Sequence, residues 1–232
     1  MAEDRANFEK KGSIGIAWIE NPNKGNALSS NVLGDLLGIL DFMERDKNLL
    51  FLILSSRGKH FCTGFDIAGI EDTEAVRERI GLFAHLLTRI ERLRVPVLAT
   101  VKGAAYGGGF ELALACDLII ASEKASFAFP EPAIGGCPLF GAVRLPQLIG
   151  RPRAKEIMMT CRRVAAHEAL AIGLLNKVVS DEALMDSAIA LADDIVQKGP
   201  VAIGMIKLAM NQKLGGPDLA YLKGYELNSQ AC

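Results

Sequence analysis

Apolar positions follow two periodicities along this chain, and the switches between them outline its elements. The segment "SIGIAWIE" (13–20) is rich in β-branched and aromatic residues and reads as a strand, while the "NPNKGNALS" after it is a turn-rich loop. Leu33, Leu36, Leu37 and Leu40 then recur three and four apart, which predicts a helix capped by Ser29 or Ser30. "LLFLILSS" (49–56) is short and apolar on both faces, the mark of a strand buried between two layers. After the loop "RGKHFCTGFDIAG", helical spacing resumes over about 73–93. "VPVLATVKG" (95–103) and "DLIIAS" (117–122) read as two more buried strands.

Strand, glycine loop and helix thus recur through the first two thirds of the chain, which predicts an α/β fold with largely buried strands. After about Lys177 the strand signals stop. Met185, Ala188, Ile189, Ala192, Ile195 and Val196 mark one apolar stripe, and the "KGP" at 198–200 and "GGP" at 215–217 punctuate a helical tail. The expected division is an α/β core over 1–180 and a helical region over 181–232, whose stripes pack onto the main body or onto a neighbouring subunit.

Composition narrows the function classes. Half of the 232 residues are apolar, and 26 Lys and Arg stand against 27 acids, so there is no basic excess of the kind that neutralises nucleic acid phosphates. The opening "MAEDRANFEKKGS" lacks the apolar centre of a secretory signal, and no apolar run approaches the roughly 20 residues that span a bilayer. A soluble, cytoplasmic protein without a nucleic acid or membrane partner is expected. Cys62, Cys116, Cys137, Cys161 and Cys232 form no CxxC pair, and their mostly apolar or glycine neighbours predict small core residues rather than disulfides or zinc ligands. His60, His85 and His167 show no nucleophile or ligand spacing.

Candidate chemistry centres on "GAAYGGGFELALACD" (103–117). Gly107, Gly108 and Gly109 allow a tight turn and close approach to the main chain, and the helix behind them leaves its first N–H groups unpaired, an anion-binding geometry. Glu111 lies in the first turn of that helix among Phe110, Leu112, Ala113, Leu114 and Ala115, so burial should raise its pKa. Two readings stand at this point: a structural acid paired with an Arg or capping its helix, or a reacting group. The spacing is not GxGxxG, and no acid follows where a dinucleotide site needs one. Glu131, in "ASFAFPEPAIGGCP" (125–138), sits between two prolines in a stiff loop. Alone it reads as a turn acid; beside Glu111 and a glycine-rich anion site it completes the groups needed for proton transfer around a polarised carbonyl.

"NPNKGNALS", "GKHFCTGFDI", "VKGAAYGGGFELALACDLIIAS", "ASFAFPEPAIG" and "EALAIGLLNKVV" occur in the order and spacing of the crotonase (enoyl-CoA hydratase/isomerase) superfamily, and the chain resembles its hydratases from Asn21 to Val179. The resemblance implies a crotonase-like spiral of ββα units with a C-terminal helical region. It implies an acyl-coenzyme A substrate, no metal and no separate cofactor, and a homotrimer or dimer of trimers. By motif position the N–H groups of Phe65 and Gly108 form the oxyanion hole, and Glu111 and Glu131 hold and activate one water. Having both acids favours hydration of a 2-enoyl thioester over the sibling activities: isomerisation, hydration of a cyclic or carnitine-linked enoyl thioester, or thioester hydrolysis. Lys24, Asn26, Ala27, Phe65, Asp66, Ile67, Ala68 and Gly108 fall on the positions that line the coenzyme and substrate. For Lys24 a solvated loop lysine is the competing reading.

Two departures stand out against the family pattern. Relatives carry a glycine-rich turn after the proline that follows the second glutamate. Here "CPLFGAVRLP" is one residue shorter and places Leu139 and Phe140 there, which predicts an apolar wall to the acyl pocket. The last segment, "YELNSQAC", stops before the further helix in which relatives continue, so the end is expected to be short.

Overall fold

The computed structural model describes residues 4–66 and 73–211. Its strands are β1 (Arg5–Lys11), β2 (Ile14–Glu20), β3 (Phe51–Ser56), β4 (Val97–Val101), β5 (Ala104–Tyr106), β6 (Leu118–Ser122), β7 (Ser126–Ala128), β8 (Val164–Ala165) and β9 (Lys177–Val179). Its α-helices are α1 (Ser30–Arg45), α2 (Thr73–Arg92), α3 (Gly108–Ala115), α4 (Leu139–Ile149), α5 (Arg151–Thr160), α6 (Ala166–Ala171), α7 (Leu184–Val196) and α8 (Pro200–Asn211). One sheet runs β1-β2-β3-β4-β6-β9, parallel except for β1; a second, small sheet runs β5-β7-β8, with β5 and β7 parallel.

The apolar runs are strands because the sheet is covered on both faces. Leu52, Leu54, Val97, Ala99, Ile119 and Ala121 point into a core shared with α1, α2 and α3, while Ile53, Leu98 and Ile120 alternate to the other face and meet Leu184, Ala188 and Ala192 of α7. The stripe expected on the helical tail is therefore spent, in α7, on the back of the large sheet. Ser29 caps α1, its hydroxyl accepting from the Val32 N–H at 3.2 Å.

One element goes unread in the sequence, and one expectation changes. The charged segment "RANFEKK" carries no strand signal, yet it is β1, an edge strand turned onto β2 through Gly12 at φ 60°, with only Ala6 buried. An edge strand with one face in solvent needs few apolar residues. The cysteines divide: Cys62 and Cys116 are buried, Cys137 is exposed and Cys161 intermediate, while Cys232 lies outside the described residues. Cys137 is exposed because its loop borders a cavity instead of the core.

α8 is fastened by charge as well as by apolar contact. Lys207, buried, donates to the carbonyls of Ile90 and Val95 at 2.8 and 2.9 Å and pairs with Asp117 at 2.8 Å. Gly204 lets the helix come close, since a Cβ there would lie 2.7 Å from the Arg94 carbonyl. Lys207→Met leaves Asp117 without its cation and two carbonyls without a donor. It is expected to lower the unfolding free energy by about 3 kcal/mol and the Tm by roughly 6–12 °C in calorimetry, whereas Lys198→Met, at an exposed pair with Asp194, leaves the Tm in place.

Candidate active site

The small parallel pair β5 and β7 delivers both acids to one place. Tyr106 lies opposite Ala128 at the carboxyl ends of these strands. The chain leaves β5 through Gly107 into α3 and reaches Glu111; it leaves β7 through Phe129 and Pro130 and reaches Glu131, the first residue of a 3₁₀ turn that ends at Ile134. The Gly107 N–H donates to the Ala128 carbonyl at 2.9 Å and ties the two exits together.

The glycines are required by contact. Gly107 sits at φ 53°, and a Cβ on it would lie 2.7 Å from Glu131 Oε1. A Cβ on Gly109 would lie 2.2 Å from the Cys62 carbonyl oxygen, so α3 meets the 62–66 segment backbone to backbone. That segment is held by bridges on both sides, Cys62 with Ala105 and Phe65 with Leu28. In the second, Leu28 donates to Gly64 and accepts from Asp66, which leaves the Phe65 N–H facing away from its partner strand. Among the described residues neither that N–H nor the one of Gly108 has an acceptor. The Phe65 ring covers Gly108, whose Cβ would lie 3.2 Å from it.

Every residue of α3 is buried, and Glu111 is only 6 % exposed. Its carboxylate does act as a helix cap, but for another helix: Oε1 accepts from the Gly141 N–H at 2.8 Å, the third residue of α4, whose own cap residue Pro138 supplies no side-chain acceptor. Phe129 stacks on Phe110 at 4.5 Å and fills the space where Gly141 would carry a Cβ, so this one ring sets α3, the exit of β7 and the start of α4 against one another. Burial pushes the Glu111 carboxyl up to about 7; the Glu131 charge pushes the same way, and the Gly141 and Phe140 N–H groups pull it back. Burial also raises the Glu131 carboxyl, and its Oε2 is buried without a hydrogen-bond partner.

The two acids share a cavity of about 540 Å³ with Phe65, Phe83, Leu87 and Phe140. Leu139, 72 % exposed, and Phe140, packed against the core, both line this cavity. Sequence reasoning missed Arg79 of α2, which lines the same cavity; on an amphipathic helix an arginine reads as a solvent residue. A second cavity of about 490 Å³ lies between α8, α4 and β6, where Lys207 and Asp117 are already paired with each other.

Lys24, Asn26 and Ala27 belong to the loop that Gly25 and Leu28 join to the 62–66 segment. Lys24 is exposed and pairs with Asp66 at 2.7 Å, which raises its pKa. Asn26 is buried at φ 58°, and its side chain is used wholly on backbone: it accepts from Asn21 N–H and donates to the Arg57 and His60 carbonyls. Ala27 is buried beside it and donates its N–H to the Lys24 carbonyl at 3.2 Å. Ile67 and Ala68 lie outside the described residues. No group of three His, Cys, Asp or Glu suited to a metal ion occurs among the described residues, and no described helix is long and apolar enough to cross a membrane.

Known proteins resemble this chain in sequence and in fold. The chain is 38 % identical over 209 residues to the short-chain-enoyl-CoA hydratase of Clostridium acetobutylicum, covering 88 % of this chain and 80 % of that one. It is 39 % identical over 201 residues to the carnitinyl-CoA dehydratase of Proteus mirabilis, covering 85 % and 76 %. The crystal structure of enoyl-CoA hydratase from Bacillus anthracis superimposes with a TM-score of 0.91 at 33 % identity, over 97 % of this chain and 90 % of that one. The family model described as enoyl-CoA hydratase/isomerase matches residues 9–230, and the chain belongs to that family, within the crotonase superfamily.

Proposed function

We propose that the protein adds water across the double bond of a 2-enoyl-coenzyme A thioester. The observation that carries this reading is the placement of two buried carboxyl groups, Glu111 and Glu131, in one cavity beside two N–H groups without acceptors. The relatives named as hydratases support it. The thioester oxygen rests on the Phe65 and Gly108 N–H groups, with the positive end of α3 behind them. One carboxylate takes a proton from the water as its oxygen bonds to C3, and the other carboxyl gives a proton to C2 as the enolate collapses. Protons move and electrons do not leave the substrate, so the step calls for no redox cofactor, and the two N–H groups supply the oxyanion stabilisation that a metal would otherwise give. The pair titrates as a unit, with burial holding one proton on it near neutrality. Lys24 and the 26–27 and 65–68 segments serve the coenzyme, largely through backbone atoms.

The exposed apolar residues Val201 and Met210 of α8, 59 % and 78 % exposed, support self-association, for which the family resemblance implies a homotrimer or a dimer of trimers. The compartment proposed is the cytoplasm, where the thiols of Cys62 and Cys116 stay reduced.

Glu111→Gln and Glu131→Gln each keep size and polarity but remove proton exchange. Each is expected to lower kcat for crotonyl-CoA hydration by about a hundredfold or more, followed as loss of absorbance of the conjugated double bond. The double variant loses far less than the product of the two. Survival of 3-enoyl to 2-enoyl isomerisation in one single variant with hydration abolished would assign the isomerase activity instead. Because both carboxyl groups are raised, the last proton leaves the pair above the usual carboxylate range. The plot of log(kcat/KM) is therefore expected to bend downward as pH rises past about 7, in contrast to the plateau of a lone carboxylate base. Light scattering at micromolar concentration is expected to report a multiple of the chain mass; a monomer refutes the assembly.

A further inference from the structure

Arg79 is the exception among the part-buried arginines. Arg89 pairs with Asp41, Arg94 with Glu44 and Arg144 with Glu91, whereas Arg79 forms no ion pair among the described residues. Its Nη1 donates to the backbone carbonyl of Asp66, and its Nε is shielded from water without an acceptor. That leaves the Nε and Nη2 edge of the guanidinium, the edge that takes a carboxylate through two parallel hydrogen bonds. A part-buried cation with a shielded, unused donor is costly unless something completes it. The residue lines the cavity that holds Glu111 and Glu131, and apart from those acids the walls around it are mainly apolar, from Ile80, Phe83, Leu87 and Phe140.

The location decides which anion fits. Through Asp66, Arg79 is anchored one residue from Phe65, whose N–H receives the thioester oxygen in the reading above. The pantetheine arm holds every coenzyme phosphate far from that oxygen, so an anion at Arg79 belongs to the acyl group. We infer that the preferred substrate is a 2-enoyl-coenzyme A thioester whose acyl chain ends in a second carboxylate, bound by Arg79. The inference rests on the hydratase reading for the reaction but not for the binding. The same charge repels an acyl group bearing a trimethylammonium, as on the substrate implied by the name of the carnitinyl-CoA relative.

Two measurements test it. Calorimetric titration compares glutaryl-CoA, butyryl-CoA and free coenzyme A, none of which can be hydrated. The intact protein is expected to bind glutaryl-CoA at least tenfold tighter than butyryl-CoA. Arg79→Met is expected to abolish that preference while Arg79→Lys restores part of it. Hydration of 4-carboxybut-2-enoyl-CoA and of crotonyl-CoA is then followed in the same variants. The loss of kcat/KM in Arg79→Met is expected to be at least tenfold larger for the carboxylated thioester. Equal losses on both thioesters overturn the proposal and make Arg79 a positioning residue for the Asp66 carbonyl. A parallel loss of free coenzyme A affinity overturns it in favour of a phosphate contact. If the protein hydrates neither thioester yet prefers glutaryl-CoA through Arg79, the hydratase reading fails and the carboxylate site stands.

Discussion

The close approach of α3 to the Cys62–Asp66 segment is the constraint on which the rest of the site depends. Two main chains meet where a single methylene on Gly109 would overlap the Cys62 carbonyl. That distance brings two N–H groups without acceptors close together, each left over from a different structure: Gly108 from the unpaired first turn of a helix, Phe65 from a parallel bridge that uses its neighbours. The parallel register of β5 and β7 then sets Glu131 beside Glu111 with no direct bond between them. The geometry is thus carried by backbone, and side-chain packing, chiefly the Phe110 and Phe129 stack, keeps it in place.

The buried acid and the bare helix end solve each other's problem. α4 begins after a proline with no side-chain cap, so its first-turn N–H groups need an acceptor; Glu111, in a wholly buried helix, needs donors. The bond from Gly141 meets both needs across thirty residues of sequence. It offsets only part of the cost of burial, which is why the carboxyl still titrates near neutrality. Glu131 has less help, with one oxygen buried and unpaired. The pair is kept in an electrostatically unfavourable state that proton transfer can use.

The elements that could be read in the chain are those whose burial is two-sided. β3, β4 and β6 stand out as apolar runs because the sheet between two helical layers leaves no polar face, and α1 and α2 stand out by apolar residues spaced three and four apart on one face. β1 was not legible, since five of its seven residues are polar or charged and its pairing depends on a turn at Gly12. At the site, the glycine run and the two glutamates were visible as motifs. The Glu111 contact to Gly141 was not, because nothing local links residues thirty apart. Arg79 and Lys207 escaped for a common reason: a cation on a helix reads as solvent, and only the packing of a second element reveals which of them is enclosed. The exposed Cys137 shows the converse, an apolar neighbourhood in sequence that opens onto a cavity in space.

The four segments that meet around the start of α3 are widely spaced in sequence: the loop at 62–66, the β5 to α3 turn, the exit of β7 and the first turn of α4. None of the bonds that align them is local, and the bridge between Cys62 and Ala105 closes a loop of more than forty residues. Loop closure of that length is entropically uphill until the large sheet has already brought its ends together. Contact order favours early pairing of β2, β3, β4 and β6 with their covering helices, ahead of the small sheet β5-β7-β8. During synthesis the N-terminal strands can pair early, but α4 leaves the ribosome after both acids, so a nascent chain carries Glu111 and Glu131 for a time with no helix end to receive the charge. The site is therefore assembled from contacts of long sequence separation, which form only once the large sheet is in place.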